Sequence, residues 1–216
     1  MTIKGVIFDF DGTLLDSMFI WDTMAEDYLL KRGITPEKGL NEKFEIMSLV
    51  QGANYYRDHY GITDSVETII DGVNNMIEDF YTHVAEPKVG VVSMLKELQN
   101  RGIKMCIATA TDRYLVEAAL KHNEMNGYFS HILTCTEVGK GKDSSLIFEM
   151  ALEKIGIRKQ ETLVFEDGLH AIKTAKDAGF RVVGVYDKSA HKKQNQVKDI
   201  SDYYLESYKN WSEVIK

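Results

Sequence analysis

The chain has 216 residues, 44% hydrophobic and 27% charged, long enough for one large domain or for a core with an insert. Its net charge of −7 repels phosphate-rich polymers, so nucleic acid is excluded as an expected partner, and residues 188–193 read as a solvated loop rather than a basic patch. No stretch approaches a membrane span or a signal peptide, and Cys106 and Cys135 lie in apolar segments that suit buried reduced thiols; a cytoplasmic monomer with no membrane partner is expected.

Residues 3–10 open the chain as a short apolar strand. Residues 17–32 read as a helix, with Met18, Trp21, Ala25 and Tyr28 on one face and Gly33 as its stop. A second helical stretch covers about 40–60. A third, 65–84, carries Val66, Ile69, Val73, Ile77, Phe80 and Val84 at helical spacing. Nothing between 17 and 86 reads as a strand.

After Pro87 the pattern changes. Helices at 91–100, 113–122, 144–155 and 169–178 alternate with strands at 103–109, 131–135, 162–165 and 181–186. An edge strand at 203–205 and a short helix around 211–215 close the chain. This alternation implies crossover units and an α/β, doubly wound parallel-sheet (Rossmann-like) core built from residues 1–15 and 88–216. Residues 16–87 are then an α-helical insert after the first strand.

In such sheets the ligand crevice lies outside the carboxyl ends of the strands. Strand one ends in Phe8-Asp9-Phe10-Asp11-Gly12-Thr13, strand two at Thr109, and strand four in Glu166-Asp167-Gly168. The loop after strand three holds Gly139-Lys140-Gly141-Lys142. Carboxylates beside buried strands cost several kcal/mol unless compensated. A hard cation such as Mg²⁺, drawing on Asp9, Asp11, Glu166 and Asp167, supplies that compensation. A lysine and a threonine hydroxyl would hold the oxygens of a transferring phosphoryl group. Asp9 can attack phosphorus, and Asp11 can protonate the leaving oxygen and later activate water.

Asp9-Phe10-Asp11-Gly12-Thr13-Leu14 resembles the first signature of the haloacid-dehalogenase-like hydrolase superfamily, and Thr109, Lys142 and Glu166-Asp167 resemble its other three in order and context. The resemblance implies Asp9 as nucleophile and Asp11 as general acid and base. Mg²⁺ would sit on the Asp9 carboxylate, the Asp11 main-chain carbonyl and Asp167, with Glu166 assisting. Thr109 and Lys142 would bind phosphate, and residues 16–87 would form a helical cap, as in the subgroup of phosphoglycolate phosphatases and β-phosphoglucomutases. Lys142 is preferred to Lys140 because Phe148 follows it by six residues, as in the family; the family's two prolines in this loop are replaced by Asp143 and Ser145. The expected activity is a Mg²⁺-dependent phosphatase acting on a small phosphorylated metabolite through an aspartyl phosphate.

The alternative is a phosphohexomutase using the same site. β-Phosphoglucomutases carry a cap histidine where this chain has Trp21, and a cap arginine for which the segment Ile46-Met47-Ser48-Leu49 offers no counterpart. A phospho-acceptor receiver would need an aspartate after the third strand, which here ends Leu133-Thr134-Cys135. Thr111 and Asp112 read as helix caps, Arg113 as a surface arginine, and His170 as a first-turn helix residue. Tyr55, Tyr56, Arg57 and His59 read chiefly as the insert's own packing and surface, with one or two cap residues expected to touch substrate.

Overall fold

β1 (Gly5–Phe8) is four buried residues long, too apolar to stand at a sheet edge, and it lies at the centre. In the computed structural model, which describes residues 2–44, 47 and 49–215 and of Glu42 the backbone only, the chain divides into two compact units. One is Met1–Met18 with Ala85–Lys216, and the other is Phe19–Val84.

The first unit holds a six-stranded sheet, every pairing parallel, with helices on both faces. Its strands are β1, β2 (Lys104–Thr109), β3 (His131–Thr134), β4 (Thr162–Glu166), β5 (Arg181–Val185) and β6 (Tyr203–Leu205), in the order β3-β2-β1-β4-β5-β6. Side chains alternate across the pleat. Ile7, Cys106, Val164 and Val182 pack on Phe148 and Ala151 and on Ala171 and Ile172. Those residues belong to α8 (Leu146–Ile155) and α9 (Leu169–Asp177). Phe8 turns to the other face, against Phe129 and Phe165. The register sets Phe8 opposite both Ile107 and Phe165, so the chain order reverses between β1 and β4. That reversal opens a crevice at their carboxyl ends.

α5 (Val91–Asn100) and α6 (Arg113–His122) occupy the residues that periodicity assigns to helices. Other boundaries move. The strand expected over 131–135 stops at Thr134, whose hydroxyl accepts the Glu137 N–H at 3.2 Å and caps α7 (Cys135–Val138). Residues 188–193 are not all loop: a 3₁₀ turn at His191–Lys193 leads into α10 (Gln194–Ile200). Val197 is that helix's one fully buried side chain, too little for a periodic signal. Cys106 is buried, and burial pushes its thiol up to about 12; Cys135 is half-buried; both are free. Among the described residues no helix is long and apolar enough to cross a membrane.

The second unit is helical: α1 (Phe19–Leu30), α2 (Leu40–Phe44), α3 (Leu49–Tyr60) and α4 (Val66–His83). Ser65 caps α4, accepting the Thr68 N–H at 3.1 Å, and Ile69, Val73, Ile77 and Phe80 form its buried stripe. The single helix expected over 40–60 is two, α2 ending at Phe44 and α3 starting at Leu49, and the Met47 N–H donates to the Phe44 carbonyl at 3.0 Å. Tyr28 stacks on Tyr56 at 5.0 Å, and the Tyr56 hydroxyl donates to the Ala25 carbonyl at 2.8 Å.

Candidate active site

Register brings the acids together. Asp9 follows β1, and its N–H donates to the Phe165 carbonyl at 2.9 Å, so it lies beside Glu166 and Asp167 as they leave β4. Asp9, Glu166 and Asp167 are buried, and each offers an oxygen within 4.8 Å of the others'. Lys142 enters this group from the loop between α7 and α8. Its Nζ donates to Asp9 Oδ1 and, at 2.7 Å, to Glu166 Oε2. Burial works against the Lys142 ammonium, but the two carboxylates outweigh it and hold the pKa above the ordinary lysine value. The Lys142 ammonium also lies 5.9 Å from the centre of the Phe148 ring. Lys140 is exposed.

The loop reaches this shape without prolines. The Ser144 N–H bonds the Gly141 carbonyl at 3.1 Å, and the Ser144 hydroxyl accepts the Leu146 N–H at 3.3 Å, tying the turn to the start of α8.

Glycine is required at position 12. Its φ is +72°, and an added Cβ would lie 2.7 Å from Asp167 Cγ, so the β1 loop turns directly against that carboxylate. The Thr13 hydroxyl donates to Asp167 Oδ1 at 3.1 Å, and the Gly168 N–H donates to Glu166 Oε1 at 3.0 Å. Burial raises the pKa of Glu166 and of Asp167. Asp9 adds to the shift at Glu166, and Glu166 and Asp9 add to it at Asp167. Three buried carboxylates around one ammonium are a set of oxygen donors short of positive charge, and they fit a hard divalent cation.

Asp11 is placed differently. It is buried, but its carboxylate accepts the Ser17 hydroxyl at 2.5 Å on Oδ1 and the Thr111 hydroxyl on Oδ2, and it is not part of the three-carboxylate group. Sequence reasoning passed over Ser17 and gave Thr111 and Asp112 capping roles. Asp112 holds the cap position of α6 and accepts the Thr136 hydroxyl at 2.7 Å. Thr109 ends β2 buried, its hydroxyl accepting the Thr111 N–H at 3.0 Å.

A second ion pair, between half-buried Lys88 and buried Asp187, also went unnoticed. Lys88 donates to Asp187 Oδ2 at 2.7 Å and to the Tyr186 carbonyl at 2.6 Å, just beyond β5. Two isolated charges a hundred positions apart carry no motif, and only the fold pairs them. Arg113 bonds the Ile132 carbonyl at 2.7 Å and Glu137 Oε2 at 2.8 Å, which ties α6 to α7. His170 is exposed on the first turn of α9.

In the helical unit, Trp21 is 40% exposed, Tyr56 is buried, and Arg57 and His59 are exposed. Tyr55 stacks on His59 at 3.9 Å and bonds Glu37 and Lys43. Ile46 and Ser48 lie outside the described residues.

Replacing Lys142 with methionine is expected to lower the stability of the metal-free protein by about 3–5 kcal/mol, because Asp9 and Glu166 lose their shared buried cation. Urea unfolding in EDTA measures this, and a change below about 1 kcal/mol would contradict the compensation argument.

The doubly wound parallel sheet, with a lysine among buried carboxylates where its strand order reverses, defines an α/β protein with an acidic, cation-seeking centre. The sequence profile of the haloacid dehalogenase-like hydrolases matches residues 6–185, and the chain belongs to that family. The (DL)-glycerol-3-phosphatase 1, mitochondrial, of Arabidopsis thaliana is 30% identical over 206 residues, covering 92% of this chain and 69% of that protein. Pyrophosphatase PpaX of Halalkalibacterium halodurans is 26% identical over 204 residues, covering 86% of this chain and 84% of that one. A crystal structure from Thermotoga maritima, provisionally named a β-phosphoglucomutase, shares the fold at a TM-score of 0.84 and 21% identity, covering 98% of each chain.

Proposed function

We propose that the chain is a Mg²⁺-dependent phosphatase that hydrolyses a small phosphorylated metabolite through an aspartyl phosphate on Asp9. The observation that carries the reading is the Lys142 ammonium held between the buried carboxylates of Asp9 and Glu166, with Asp167 beside them. The named phosphatases among its relatives support the reaction class.

Mg²⁺ would be held by the carboxylates of Asp9 and Asp167 and the main-chain carbonyl of Asp11, with Glu166 assisting. Bound there, it neutralises charge on the phosphoryl oxygens. Lys142 and the Thr109 hydroxyl bind those oxygens and orient phosphorus toward Asp9. A carboxylate oxygen of Asp9 forms a bond to phosphorus as the ester P–O bond breaks, and the departing oxygen takes its proton from Asp11. Asp11 then takes a proton from water, whose oxygen attacks phosphorus and releases Asp9 and inorganic phosphate. Ser17 and Thr111 position the Asp11 carboxylate for both transfers.

Residues 1–15 and 88–216 act in this reading as the catalytic core and 16–87 as a specificity cap, in a cytoplasmic monomer. A mutase must seat the distal phosphate of a bisphosphate on a cationic group. This chain has Trp21 where β-phosphoglucomutases carry a cap histidine, and residues 46–49 offer no counterpart of their cap arginine, which favours hydrolysis.

Phosphate release from glycerol phosphate, pyrophosphate, phosphoglycolate and sugar phosphates, followed by phosphorus NMR, tests the reading. Inorganic phosphate is the expected product from at least one of them. Glucose 6-phosphate forming from β-glucose 1-phosphate much faster than inorganic phosphate would establish the mutase instead.

A further inference from the structure

The helical unit Phe19–Val84 contains a cavity of about 370 Å³, and the described residues that line it belong to that unit. It exists because the helices meet there through small residues, among them Ala25, Gly52 and Ala53, while the large side chains around them are fixed. Phe44 packs against Gly52, where a Cβ would come within 2.7 Å of the Phe44 ring, and on Tyr56 at 4.9 Å. Tyr56 is held in turn by its hydroxyl on the Ala25 carbonyl and by its stack on Tyr28. Neither ring can swing inward to fill the space without breaking these contacts.

Trp21, Asp22 and Leu49 of its lining are exposed, so the cavity is open to solvent and a ligand can enter it. Ligand pockets begin at about 300 Å³.

The lining selects the ligand class. Its described residues are chiefly aliphatic, aromatic or methionine side chains. The one charged residue is acidic, Asp22, and Asn41 supplies a neutral amide. A phosphate or carboxylate would find no cation there and would meet the Asp22 charge. From this geometry we infer that the helical unit is a binding site for an uncharged apolar group of one or two rings, separate from the carboxylate–lysine centre. The group is a free small molecule.

The full-length protein with ¹³C-labelled methionine methyls, titrated with indole in the absence of metal and phosphate esters, tests this. Met24 and Met47 line the cavity, and they are expected to shift, with saturation below millimolar indole and nuclear Overhauser contacts from their methyls to the ring. Ala53→Phe fills the space and is expected to abolish the shifts. No shift in the wild type, or the same shifts in Ala53→Phe, would overturn the inference. If that variant does not fold, the Overhauser contacts in the wild type decide alone. The titration involves no hydrolysis, so it fails or succeeds independently of the phosphatase reading.

Discussion

Asp9→Asn is expected to lower phosphate release by about 10⁴-fold or more while leaving the protein folded. Asparagine keeps the size of the side chain and the backbone N–H bond to the Phe165 carbonyl, but it removes the charge that attacks phosphorus. Folding should not suffer, because the variant relieves repulsion in a crowded acidic cluster and Lys142 retains its 2.7 Å bond to Glu166. The readouts are turnover on the best substrate of the panel and the thermal midpoint in EDTA. A midpoint within a few degrees of wild type shows that the loss is chemical. Turnover within a few-fold of wild type would eliminate Asp9 as the nucleophile.

Exhaustive chelation is expected to abolish turnover, and Mg²⁺ to restore it. The physical reason lies in the carboxylates: burial raises the pKa of Glu166 and Asp167, so without a cation the site disfavours its own ionised form. A divalent ion reverses that, and it binds the folded chain far better than the unfolded one. Stability should therefore rise with Mg²⁺, by about 2.7 kcal/mol at a hundred times the dissociation constant. Asp167→Asn should shrink this increment together with activity. Full activity in EDTA, or a thermal midpoint indifferent to Mg²⁺, would contradict the metal reading.

Strands β1, β2, β4 and β5 were legible because each is a short, largely buried run, and a parallel strand covered on both faces is chiefly apolar. The acids were legible for a related reason: Asp9 and Glu166-Asp167 interrupt such runs where nothing in the packing calls for charge. Lys142 could be told from Lys140 through Phe148, six residues on, and the structure buries Lys142 against Asp9 while Lys140 faces solvent.

Other features had no local signature. α10 buries one fully enclosed side chain, Val197, and therefore shows no period. The break between α2, ending at Phe44, and α3, starting at Leu49, carries no glycine or proline to mark it. Ser17 carries no local signal and Thr111 reads as a helix cap until the fold sets both hydroxyls on Asp11, and only the fold brings Lys88 to Asp187 just beyond β5.

By itself, then, the sequence determined the class of fold, the parallel sheet and the residues at its strand ends, since burial pattern and chain order are local properties. Tertiary structure alone decided which hydroxyls hold Asp11, how Gly12 turns against Asp167, and that the helical unit keeps a cavity. Each of these depends on distances between segments far apart in the chain, and periodicity carries no information about distance.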